Sequence, residues 1–147
     1  VCSAIKQGYM KDYTIDREIK VMYVTAGSFP DGVLEAHQQL HSKIPFSQER
    51  KYFGISFPED GVIIYKAAAE EMYAGEAAEK GFETYTIRTG KYACMVVSNY
   101  MNNTAAIGEA FQNLLKHPQL DPAGYCLEWY ISQQDVQCMV PLKNINQ

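Results

Sequence analysis

The order of local signals constrains this chain more than any single motif: strand, helix and β-hairpin occur in that order twice, about 70 residues apart. In the first pass, Ile19 to Ala26 alternate as a strand and end at Gly27-Ser28. Pro30-Asp31 predict a helix over about 31–43, with a proline at an early position and acids near the positive end. Val33, Leu40 and Ile44, joined by Ala36 and His37, fall on one helical stripe, and Pro45 closes it. Residues 51–57 predict a strand, Pro58-Glu59-Asp60-Gly61 a turn, and 62–72 a second strand. That second strand competes with the helical propensity of Ala67-Ala68-Ala69-Glu70-Glu71. Residues 74–81 read as a loop or a short helical turn.

In the second pass, Phe82 to Ile87 and Lys91 to Asn99 are extended around the turn Arg88-Thr89-Gly90. Asn102-Asn103-Thr104 cap a helix over about 104–116, with Ile107, Phe111, Leu114 and Leu115 on its buried side. Pro118 and Pro122-Ala123-Gly124 close it. Residues 125–132 predict a strand, Gln133-Gln134-Asp135 a turn, and Val136 to Leu142 the last strand. The expected class is α+β, built from two duplicated β-α-β-β modules. Their halves run over about 13–80 and 81–147 of one domain spanning 13–147, with 1–12 as an N-terminal extension or linker. Each module alone leaves a sheet face uncovered. Pairing about a pseudo-twofold axis would bury both faces and leave a central ligand cleft.

Within this layout, Tyr125-Cys126-Leu127-Glu128-Trp129-Tyr130-Ile131 stands out. Strand alternation sends Cys126, Glu128 and Tyr130 to one face and Leu127, Trp129 and Ile131 to the other. Both faces are apolar around a single carboxylate, which is costly to bury without a partner. A small apolar or cationic molecule is one such partner, a nearby Lys or Arg another. Glu128 and Tyr130 are the first candidates for a pocket side, and Trp129 falls on the packing side. Tyr52 and Tyr92 lie on strands near the presumed seam, where core and rim positions are both open. Tyr65 and Tyr73 are weaker candidates.

The 147 residues suffice for one well-cored domain. A net charge of −4, with 13 scattered basic residues, argues against direct electrostatic grip on nucleic acid. No apolar run approaches the roughly 20 residues that span a bilayer, so no membrane partner is expected. Four cysteines, at 2, 94, 126 and 138, lack zinc-site spacing. Reduced, buried thiols in a cytoplasmic protein are the expectation. The chain opens on Val1-Cys2-Ser3, and a fragment of a longer protein and a start at Met10 both stay open. Tyrosine is abundant, with 11 Tyr beside 6 Phe and 1 Trp; its hydroxyl needs a partner when buried, which suits a pocket lining. His37 and His41 have the spacing of two helical metal ligands, but Gln38 replaces the glutamate of a zincin motif and no third ligand is evident. A partly buried His37 and an exposed His41 are expected, with no metal and no cofactor.

Five segments together resemble the GyrI-like small-molecule-binding domain, the effector-binding domain of AraC- and MerR-type bacterial transcription regulators. They are the first strand with its Gly27 turn, Tyr52-Phe53-Gly54-Ile55, Ile87-Arg88-Thr89-Gly90-Lys91-Tyr92-Ala93, Leu127-Glu128-Trp129-Tyr130, and Met139-Val140-Pro141-Leu142-Lys143. The resemblance covers roughly 13–143. It implies SHS2-type modules around a ligand pocket, with Glu128 at the pocket floor among aromatic rings, contacting cationic, lipophilic drugs. Ser98 to Asn102 lack the glycine many members carry before the second helix, so loop contacts there do not transfer. The helices of a DNA-binding region are not seen in the chain; one upstream would make it the sensor half of a regulator.

The leading expectation is a non-enzymatic binding domain with a sensor or sequestering role and no assigned catalytic residue. A second, suggested by standalone relatives, is hydrolysis of reactive cyclopropane-bearing natural products, with Glu128 positioning water and Tyr130 or Tyr92 donating a proton. A third is protein interaction of the gyrase-inhibitor type. Ligand identity and oligomeric state are not legible in the sequence.

Overall fold

The computed structural model describes residues 10–143. Among the described residues the strands are β1 (Lys11–Ile15), β2 (Ile19–Thr25), β3 (Tyr52–Glu59), β4 (Val62–Glu70), β5 (Glu83–Ile87), β6 (Gly90–Ser98), β7 (Cys126–Tyr130) and β8 (Asp135–Pro141). The α-helices are α1 (Val33–Lys43), α2 (Glu76–Lys80) and α3 (Ala105–Leu114), and a 3-10 turn spans Tyr100–Asn102. The class is α+β. The chain divides into two compact units: a first over Arg17–Arg88, and a second formed by 10–16 together with 89–143.

In the first unit the strand order is β3-β4-β2-β5, with antiparallel pairing throughout. Helix α1 covers one face through Ala36 and Leu40, one turn apart and both buried, with Ile44 buried just past its end. It begins two residues later than Pro30-Asp31 suggest, because the chain first makes a tight turn in which Gly32 N–H donates to the Ser28 carbonyl. A Cβ on Gly32 would lie 2.9 Å from the Ser28 backbone, so this turn needs a glycine. Ala67-Ala68-Ala69 sit in β4 with no exposure, between β3 on one side and β2 on the other. Their propensity yields to tertiary demand: an inner strand covered on both faces favours small side chains.

The second unit has the order β1-β6-β8-β7, again antiparallel. Helix α3 packs through Ala106, Ala110 and Leu114 onto Ala93, Met95 and Val97 of β6 and Val136, Cys138 and Val140 of β8. The buried stripe therefore differs from the one expected. Ile107 and Phe111 are half-buried on its flank and Leu115 is exposed, because small alanines let the helix approach the sheet. Thr104 takes the N-cap position but makes no side-chain capping bond. The Ser132 hydroxyl accepts from Gln134 and Asp135 N–H and closes the β7–β8 hairpin.

β1 was not expected as a strand. Lys-Asp-Tyr-Thr-Ile is short, and only Ile15 is buried, so its signal is weak. It occupies in the second unit the edge position that β5 holds in the first. Cys94, Cys126 and Cys138 are thiols rather than disulfides, while Cys2 lies outside the described residues. Burial pushes Cys94 up to about 11, and burial followed by the neighbouring Glu128 carboxylate raises Cys138 as well.

Candidate functional site

The sheet registers settle which candidates share a face. In the second unit Glu128 stands opposite Cys138 and Tyr130 opposite Val136, so both point to the side that carries α3. Trp129, opposite Gln137, points to the helix-free side. The Tyr130 hydroxyl donates to Glu128 Oε1 at 2.5 Å, and the Tyr130 ring lies 5.5 Å from that of Tyr100. Tyr100 is raised above the usual tyrosine value, first by burial and then by the Glu128 carboxylate, which opposes a second negative charge. Glu128, Tyr130 and Tyr100 thus form a half-buried cluster of one carboxylate and two phenols.

Tyr92 and Tyr52 are core residues. Tyr92 has no exposure, and its hydroxyl lies 2.7 Å from that of Tyr125. Tyr52 accepts a hydrogen bond from Ser47 N–H, and its ring rests against Phe46 and His41 on the α1 side of the first unit. Tyr65 is likewise buried, 2.8 Å from His37 Nε2. Burial, aided by the His41 charge, holds His37 down at about 4, so its imidazole stays neutral at physiological pH. His41 is half-buried rather than exposed, because Phe46 folds over it and its Nδ1 reaches the Ile44 carbonyl.

The helix-free faces carry a pattern that sequence reasoning missed. In the second unit Tyr13 of β1 meets Trp129 of β7 edge to face, with centroids 5.8 Å apart. Those are the first and last strands of the order β1-β6-β8-β7, three steps apart, or about 14 Å on a flat sheet. The first unit repeats the arrangement. Phe57 of β3 stacks on Tyr85 of β5 at 6.5 Å, and these too are the first and last strands of the order β3-β4-β2-β5. In each unit, then, rings from the first and last strands of its order meet as an aromatic bridge on the side without a helix.

The first unit adds charge to its bridge. Lys66 of β4 places its ammonium 4.1 Å from the Tyr23 ring centre and 5.6 Å from that of Phe57. The Tyr23 hydroxyl donates to Glu83 Oε1 at 2.8 Å across the β2–β5 pair. Burial lowers Lys66, with Glu83 and Glu59 opposing, and burial with the Glu83 hydrogen bond raises Tyr23. Tyr23 and Glu83 also border an open depression of about 300 Å³ shared with Thr25, Lys43 and Phe82. In the sequence the only trace of this face is the period-two placement of Phe53, Ile55 and Phe57, against Tyr52 on the other side.

Neither family models nor curated proteins match this chain. Solved structures do match in fold. The chain is similar to the protein SAV2435 bound to tetraphenylphosphonium, with a TM-score of 0.69 at 12% identity, covering 94% of this chain and 96% of that one. It is also similar to a candidate bacterial transcription regulation protein from Staphylococcus aureus MU50, with a TM-score of 0.61 at 12% identity, covering 92% and 99%. A hydrolase from Listeria innocua matches with a TM-score of 0.55 at 11% identity, covering 91% of each chain. At such identities the likeness is one of fold.

Proposed function

We propose that this chain is a GyrI-like domain that binds a small lipophilic molecule through the aromatic side chains of its helix-free faces, as the sensing or sequestering part of a bacterial regulatory system. The observation that carries the reading is the pair of aromatic bridges, Tyr13–Trp129 and Phe57–Tyr85, each made by the first and last strands of its own unit's order. Rings of this kind give flat apolar area at low entropy cost and tolerate varied ligands. The fold likeness to a tetraphenylphosphonium-bound protein supports the ligand class. The matching strand order of the two units supports their origin by duplication.

Trp129 leads the proposed contacts. Tyr52 and Tyr92 act from the core by shaping the faces. Glu128 and Tyr130, on the reverse side of β7, supply a negative centre whose part is testable. Tetraphenylphosphonium at 100 times its Kd is expected to stabilise the protein by about 2.7 kcal/mol. Glu128→Gln should lower that gain for the cation more than for a neutral tetraphenyl analogue. Equal loss for both, measured by thermal shift and calorimetry, removes Glu128 from charge recognition; no stabilisation by any such probe removes the binding reading.

The Tyr130–Glu128 hydrogen bond favours one alternative, hydrolysis, since it joins a carboxylate able to orient water to a phenol able to donate a proton. Mass spectrometry of a bound ligand after incubation distinguishes the two: unchanged mass for a binder, addition of water for a hydrolase.

A further inference from the structure

The aromatic surface of the first unit is already occupied by a cation of the chain itself. Lys66 lies 4.1 Å from the Tyr23 ring centre, well inside the range over which an ammonium is attracted to a ring, and within 5.6 Å of Phe57. Phe57 is in turn stacked on Tyr85, so one ammonium sits beside the bridge that would receive a flat ligand. The lysine is fixed there by its position on an inner strand, paired with Thr25 on one side and Ile55 on the other. Nearby, Lys43 lies 5.5 Å from the ring centre of Phe82, across the depression that Tyr23 and Glu83 border. Both ring systems around that depression therefore carry a lysine.

We propose that Lys66 is the charge-selecting residue of this face: as a tethered cation on the Tyr23 and Phe57 rings it disfavours lipophilic cations and favours aromatic anions. A ligand cation seated on the same rings must displace the ammonium or bear its repulsion. An aromatic anion instead finds the ammonium as a counter-ion and the rings as packing surface. Glu83, held at the rim by the Tyr23 hydroxyl, and Glu59 are the carboxylates that act on Lys66, so an aromatic anion competes with them for its ammonium. The inference rests on the binding reading above and names the ligand class for this face.

Tetraphenylphosphonium and tetraphenylborate are close in shape and opposite in charge, so their affinity ratio isolates the effect. Calorimetry on the unmodified protein is expected to show tighter binding of the borate. Lys66→Met should weaken the borate and tighten the phosphonium, moving the ratio by about tenfold or more, within the range of a desolvated cation–ring contact plus an ion pair. Lys66→Gln, which keeps a polar end, should move the ratio in the same direction and guards against a folding defect in the first variant. If both ions bind and the ratio is unchanged in both variants, the selector role is overturned while the binding reading stands. If neither ion binds the unmodified protein, both are overturned.

Discussion

His37 shows how one side chain ties the packing of α1 to solution conditions. Its ring sits between α1 and β4, 2.8 Å from the Tyr65 hydroxyl, and burial depresses its pKa to about 4 from an ordinary 6.5. The unfolded chain therefore binds a proton that the folded chain refuses between those two values. Stability is expected to be full above pH 6.5 and to fall as pH drops toward 4, by about 3 kcal/mol from this group. Urea denaturation across that window checks it. His37→Gln should flatten the fall, and an unchanged slope in that variant would assign the pH dependence elsewhere. The spacing of His37 and His41 was visible in the sequence, but their use was not: only the fold shows that Tyr65 and the Ile44 carbonyl take up their ring nitrogens.

At the level of elements, α2 has only five residues, too few to persist on helical propensity. It is held by a charge clasp. Glu76 is fully buried and accepts two bonds from the Arg50 guanidinium, one from Met72 N–H and one from the Lys80 ammonium. The Arg50 hydrogen bonds, against the cost of burial, pull Glu76 down to about 2. Glu71 adds a bond to Ala77 N–H. Glu76→Gln should leave the half-buried Arg50 without its counter-ion and cost roughly 2–4 kcal/mol, read as a lower denaturation midpoint. A loss below about 0.5 kcal/mol, the scale of a surface pair, would show that the clasp does not hold the helix. The Glu76 contribution is present above the ordinary carboxylate range and is lost as pH falls toward 2. In composition a solvated run of glutamates and a clasp around one buried glutamate look alike, so the burial of Glu76 is not legible locally. The strands and the two long helices were legible from their periodicity. β1 was not, since its pairing with β6 comes from the other end of the chain and leaves little local pattern.

For the whole molecule, the α+β class and the order of the longer elements were readable because each of these carries its own period and bounding turn. The face proposed for binding was harder to read. Alternation along Tyr125 to Ile131 correctly parted Glu128 and Tyr130 from Trp129, but alternation alone does not say which side a helix covers. The structure puts α3 on the Glu128 side and leaves Trp129 facing Tyr13. Nor does local sequence reveal that rings on strands three steps apart meet, in one unit and again in the other. The chain has 1 Trp, so its emission reports directly on one of these bridges. The most direct test is therefore to excite Trp129 selectively while titrating tetraphenylphosphonium or tetraphenylborate. A saturable change in Trp129 emission, with the same Kd as calorimetry and weakened when Tyr13→Ala removes the partner ring, is the predicted result. Calorimetric binding with no change at Trp129, or no saturable response to either ion, would contradict the account.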